Sequence, residues 1–200
     1  MTPLTTFSGQ QISLMYLQQS HVHMTDIAHA LACQTRYAGH TARPYSEAEH
    51  ALLALDIMER TMHVDVHGRL AALLHTAHLA YLGTVCDEVR TATCGAWDVV
   101  EGRAQRTVRS AFSLHTCAHV WARQIAQAHL VARATERAQL LPPGGTPCPE
   151  LLGVQPAGWV SLMAPERTAM AWHEWRDAYA TAYEALDYAR TEALFPVNQH

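Results

Sequence analysis

Three histidines stand in segments that read as separate helices and could meet at one point. His50 closes Tyr45-Ser46-Glu47-Ala48-Glu49-His50. His75 lies in Leu73-Leu74-His75-Thr76-Ala77-His78-Leu79-Ala80-Tyr81-Leu82-Gly83, and His129 sits further along in an Ala-rich stretch. Imidazole is a borderline ligand that suits Zn, Fe, Co or Ni, and three such groups leave coordination positions open. An ion held that way lowers the pKa of a bound water and delivers hydroxide. His78, at i+3 from His75, faces the same side and is a candidate for moving protons, as is Glu88. The chemistry requires the three helices to converge. Against it stands the plainer reading that the 14 histidines of this chain are surface or hydrogen-bonded core residues.

The positioning elements can be read from capping and periodicity. Phe7-Ser8-Gly9 is a turn signal, and Ile12, Leu14 and Tyr16 alternate as in a short strand. Thr25 and Asp26 cap a helix that ends near Gly39. Ser46 is the expected N-cap of the next helix, with Glu49 completing a capping box. Asp65 begins a third helix that carries His75 and stops at Gly83. Residues 84–96 read as a loop or short turn, 97–114 and 117–140 as two helices. Pro142-Pro143-Gly144-Gly145 is a break, 142–165 is loop-like, and a final helix covers about 166–194. The expected architecture is all-α: one bundle-like domain over residues 1–200, its core at about 24–141, with a C-terminal helix packed on it.

Composition narrows the functional classes. At 49% hydrophobic and 16% charged the chain is globular rather than disordered. A net charge of −4 with mixed signs argues against a surface that coats nucleic acid. Every basic residue is Arg, which removes lysine-nucleophile and Schiff-base chemistry. The 5 cysteines are odd in number and form no C-x-x-C pair, as expected of free thiols in a reducing compartment. The first residues lack the basic and apolar regions of a signal peptide, and no apolar run approaches a membrane span. The expected location is the cytoplasm.

The order of motifs resembles the HD-domain phosphohydrolases, in particular the small bacterial and phage branch with 5′-deoxynucleotidases and deoxynucleoside triphosphohydrolases. Phe7-Ser8-Gly9 with Asp26-Ile27-Ala28 resembles the opening of that branch, and Arg36-Tyr37-Ala38-Gly39-His40 its R-F-x-G-H. Tyr45 to His50 resembles Y-S-V-A-x-H. Leu74 to Tyr81 resembles L-H-D-A-x-E-A-Y, and Ala128-His129 through Arg137 resembles A-D-x-x-x-x-A-T-E-R. The resemblance spans residues 7–141.

It implies a divalent-metal site (Zn, Co, Mn or Fe) in which His50 and His75 match two ligands. Thr76 stands where the paired Asp belongs and His129 where a later Asp belongs. Leu79 replaces a Glu that helps activate water, Thr84 a further acid, and Ala126 a Lys. Arg36 and His40 are retained and match the substrate-phosphate side, with Tyr81 and Arg133 as further substrate-side candidates.

The losses fall on acids, each worth about 10²–10⁴ in rate when it acts as general acid or base. Two readings follow. One is a pseudoenzyme that keeps the pocket and serves as a nucleotide-binding or interaction module. The other is a remodelled all-imidazole metal site that still acts on a deoxynucleotide phosphate, with His78 or Glu88 transferring protons. The implied partner is a small-molecule nucleotide, with a homodimer compatible and neither duplex nucleic acid nor membrane involved.

Other features carry less. His115 and His119 at i,i+4, and His21 and His23, read as surface or core residues. Trp172 and Trp175 could stack a base, but their helical spacing reads more simply as packing. Arg133 and Arg137 could meet phosphate or pair with Glu136 and neighbouring acids. No Gly-rich phosphate loop or nucleophile elbow is present.

Overall fold

The fold turns on α2, Glu47–Thr61, a helix buried on nearly every side. Ser46 caps it, its Oγ accepting from the Glu49 N–H at 3.1 Å. The Ala- and Leu-rich run behind the cap favours helix and leaves little polar surface. One face, with Ala48, Ala51 and Leu55, packs into an apolar cluster that includes Ile27, Leu31, Leu73 and Tyr179. The opposite face, with Leu53, Ala54, Ile57 and Met58, packs into a second cluster with Ile125, Ala128, Ala132 and Leu162. The capping box is half made, because the Glu49 carboxylate goes to Arg43 and Arg167 instead of returning to the cap.

This computed structural model describes residues 3–144 and 148–194, apart from the side chains of Asp87, Glu88 and Leu194. The chain is all-α. A two-strand antiparallel hairpin, Leu4–Thr5 with Gln11–Ile12, precedes α1 (Met24–Cys33). After α2 come α3 (Val66–Leu73), α4 (Leu79–Leu82), α5 (Asp87–Ala92) and α6 (Ala96–Ala111). Then follow α7 (His115–Val120), α8 (Ala122–Leu140), α9 (Pro165–Ala169) and α10 (Trp172–Leu194). α1 and α3 pack on α10, and α8 packs along the other side of α2. No helix among the described residues is long and apolar enough to cross a membrane. All 5 cysteines are free.

Several boundaries differ from expectation for identifiable reasons. α1 ends at Cys33, and Arg36–Gly39 forms a separate 3₁₀ turn in which Tyr37 (φ 54°) and Ala38 (φ 50°) are left-handed. Asp26 is not a cap: it lies within α1, and its carboxylate accepts from the Ser8 N–H and hydroxyl at 2.7 and 2.8 Å. Beyond Ile12, residues 14–16 form a 3₁₀ turn, not strand. Asp65 does cap α3, accepting from the Gly68 N–H at 2.8 Å. The helix expected to run on to Gly83 breaks after Leu73. There the Leu73 carbonyl accepts the Tyr179 hydroxyl at 3.2 Å. The Ala77 N–H then bonds back only to Leu74, so 74–78 is a tightened turn.

The stretch 84–96, expected to be a loop or short turn, contains α5. The expected helix at 117–140 is divided at Trp121, whose indole lies against Gly68. The final helix is divided after Ala169. Gly145 of the Pro-Gly break lies outside the described residues.

Candidate functional site

The Thr35–Ser46 bridge and the left-handed turn at Tyr37-Ala38 bring Arg36, Tyr37 and Tyr45 over α8. There they meet Glu136, which is fully buried. Its carboxylate accepts from Tyr37 Oη (2.7 Å), Tyr45 Oη (3.0 Å), Arg36 Nε (3.2 Å) and His50 Nδ1 (2.5 Å). Burial pushes this carboxyl upward, but the charges of His50 and Arg36 and the hydrogen bonds outweigh it and hold the group at about 2. Glu47, also fully buried, accepts from Arg36 Nη1 at 2.7 Å and Thr84 Oγ1 at 2.9 Å. Arg36 thus bridges two buried acids. Burial works against its charge, but Glu136 and Glu47 raise its pKa above the ordinary arginine value.

The histidines follow from this anchor. An ionised Glu136 requires His50 to present Nδ1–H to it. His50 Nε2 lies 2.8 Å from His129 Nδ1. The two rings share this one hydrogen bond, and the outer nitrogen of His129, Nε2, is buried without a partner. Burial, reinforced by His75, His50 and Arg36, pushes the His129 pKa well below the usual range. His75 stacks obliquely on His129, with ring centroids 4.5 Å apart. Burial, with His78 and Arg109 adding to it, lowers its pKa to about 4. The result is a carboxylate–imidazole–imidazole chain beside a third imidazole. All three histidines, with Thr76 and His78, line a cavity of about 880 Å³.

Residues of α5 and α6 also line that cavity. His78 Nε2 lies 3.2 Å from Glu101, whose pKa falls to about 2, first through that hydrogen bond and then, against burial, through Arg90. Arg90 grips Glu101 at 2.5 and 3.0 Å and Asp98 at 2.8 Å. Thr76 Oγ1 and His78 Nδ1 are buried without partners.

Placed against expectation, His50, His75, His129, His78, Arg36 and Arg133 all border one cavity. His75 lies on the 74–78 turn, not on a helix. Arg133 also reaches Glu150 at 2.6 Å. His40 is exposed and lies outside the cavity lining. Tyr81 is buried between α4 and the start of α1, its hydroxyl accepting from the His23 N–H at 3.3 Å. The side chain of Glu88 lies outside the described residues. Trp172 and Trp175 stand apart from the cavity and pair with Arg176 and Arg167. His115 bonds to Ser110 at 2.7 Å. Sequence reasoning missed Glu101, Arg90 and Glu47, and it took Glu136 only as a supporting residue and possible partner of Arg133 and Arg137. Only the retained Thr135-Glu136-Arg137 run could have flagged Glu136.

Among the described residues no group of three or more His, Cys, Asp or Glu is set to hold a metal ion. Two nitrogens bound tetrahedrally to one zinc lie about 3.4 Å apart, whereas those of His50 and His129 share a hydrogen bond at 2.8 Å. The nearby carboxylates are already engaged by Arg36, Tyr37, Tyr45 and Thr84. The residues as arranged therefore do not fit the ion that the motif resemblance implies.

No family model matches the chain. Over 110 residues it is 33% identical to an uncharacterized protein of Rhodobacter capsulatus. That match covers 54% of this chain and 56% of the relative, so the two correspond over about half of their lengths.

Proposed function

We propose that this chain is an HD-domain-type, nucleotide phosphohydrolase-like protein whose hydrolytic centre is remodelled into a histidine-lined pocket that binds a deoxynucleotide phosphate. The observation that carries this reading is the gathering of His50, His75 and His129, with Thr76 and His78, at one cavity. The motif order that suggested an HD scaffold named these same histidines. The volume of about 880 Å³ suits a nucleotide. The unpartnered Thr76 Oγ1, His78 Nδ1 and His129 Nε2 supply donors and acceptors for a phosphate or a base edge. Binding, rather than metal-dependent hydrolysis, is the role these residues suit, because the donor set is bonded to itself.

A second reading keeps hydrolysis on an all-imidazole metal site. It is favoured by the buried, unpartnered His129 Nε2, and it requires the His50–His129 hydrogen bond to give way to coordination.

Calorimetric titration with deoxynucleoside mono-, di- and triphosphates, with and without Zn, Mn, Co or Fe, separates the two. The first reading expects metal-independent binding of at least one nucleotide, weakened about tenfold in His75→Ala, and no phosphate release. Stoichiometric metal uptake lost in His50→Ala, with turnover, would replace it with the second. Binding of no nucleotide under any condition sinks both.

A further inference from the structure

Two of the cavity's arginines are held in opposite ways. Arg36 lies between the fully buried Glu47 and Glu136, so withdrawing it would strand two carboxylates away from water. Arg90 is partly exposed, and so are its partners Glu101 and Asp98. The Arg90–Asp98 pair is exposed and exchanges partners at little cost, whereas the two-pronged Arg90–Glu101 pair is the latch that an anion must outcompete. Glu101 also keeps His78 at 3.2 Å, so it is not left bare when Arg90 departs.

Arg90 also sits on the segment of the wall best built to move. Residues 84–95 run from Gly83 (φ 77°) to Cys94 (φ 49°) and Gly95 (φ 83°), so left-handed residues bound them at both ends. The α5 amides pair within the segment, Arg90 N–H to Cys86 and Thr93 N–H to Val89. None of its described side chains belongs to either apolar cluster, and Val89 is half exposed. Val85, Cys86, Val89 and Arg90 nevertheless line the cavity. Thr84, at the base, is tied to the buried Glu47. Beyond it the backbone bonds are local and no described side chain enters the apolar core, and such a segment opens at low free energy.

We infer that residues 85–95 are a hinged arm and that Arg90 is its anion-receiving group, latched to Glu101 and Asp98 until a phosphate in the cavity takes their place. A phosphate offers the guanidinium the same paired oxygens as a carboxylate, with more charge. This assignment rests on the nucleotide reading above for its ligand, but not for its hinge.

Hydrogen–deuterium exchange and calorimetry on the wild type, Glu101→Gln and Arg90→Gln test the two parts separately. Amides 86–94 should exchange at least about tenfold faster than those of α2, and about fivefold faster again in either variant. Exchange as slow as α2, unmoved by both variants, overturns the arm. With a deoxynucleoside monophosphate and with inorganic phosphate as probes, Arg90→Gln should weaken binding about tenfold, while Glu101→Gln leaves it equal or tighter. Wild-type affinity in both variants overturns the role of Arg90 and leaves the nucleotide pocket standing. No binding by any of the three proteins overturns the nucleotide reading and the anion role together, and the exchange data then decide the arm alone.

Discussion

Glu136 receives four donors from three stretches of chain, and that arrangement sets the histidine geometry. The carboxylate fixes which nitrogen of His50 bears hydrogen, and His50 in turn orients His129. Glu136→Ala should therefore cost about 3–5 kcal/mol, since it leaves Arg36 buried beside a lost partner. Urea denaturation measures this, and a loss below about 1 kcal/mol would show that water replaces the carboxylate. The histidine set was legible in the sequence because motif order pointed to His50, His75 and His129. The acid beneath them was not, because no local pattern reveals that Arg36, Tyr37, Tyr45 and His50 all end on one residue of α8. Thr76, read as the place of a missing acid, is a buried hydroxyl without a partner.

At the level of elements, capping was readable for α2 and α3 but not for α1, where Asp26 lies inside the helix and bonds Ser8. Ser46 and Asp65 cap the helices they were expected to cap. The break after Leu73 depends on a tyrosine from α10, which no local signal reports.

Two substitutions test the fitted junctions. A Cβ at Gly68 would lie 2.7 Å from Trp121 Cδ1 and closer still to the β-branched Val64. Neither neighbour yields easily, so Gly68→Ala should destabilise by about 1–3 kcal/mol in thermal or urea melts. Ala38 holds φ 50° in the turn that delivers Tyr37 to Glu136. Relief of that strain should make Ala38→Gly more stable by about 0.5–1 kcal/mol, even after the extra freedom of an unfolded glycine. A lowered melting temperature would contradict it.

For the whole molecule, the buried histidines set the response to acid. His75 titrates at about 4 in the folded chain and about 6.5 when unfolded. Between those values only the unfolded chain gains the proton, so stability falls as pH drops from about 6.5 to about 4. His75 alone contributes on the order of 3 kcal/mol to that fall, and His129, held lower still, acts in the same direction. Glu136 and Glu101, both at about 2, contribute stability that is present above about 4.5 and lost as pH falls toward 2. Melting temperatures recorded from pH 8 to 4.5 should decline below neutrality, with a shallower slope in His75→Gln. A flat profile down to pH 5 would show that these imidazoles reach water. The all-α class followed from helical periodicity over most of the chain, with strand-like alternation confined to residues 12–16. The two-sided burial of α2 was harder to foresee, since an Ala- and Leu-rich helix looks the same whether it borders one core or two.

Because α2 is a partition wall shared by two oily rooms, the polypeptide cannot be shortened to one of them. A fragment stopping before α7 would keep Leu53, Ile57 and Met58 but lose Ile125, Ala128 and Ala132, the furniture that covers them. Such a piece would clump instead of folding, and a protease cutting between α6 and α7 would be expected to free no stable half.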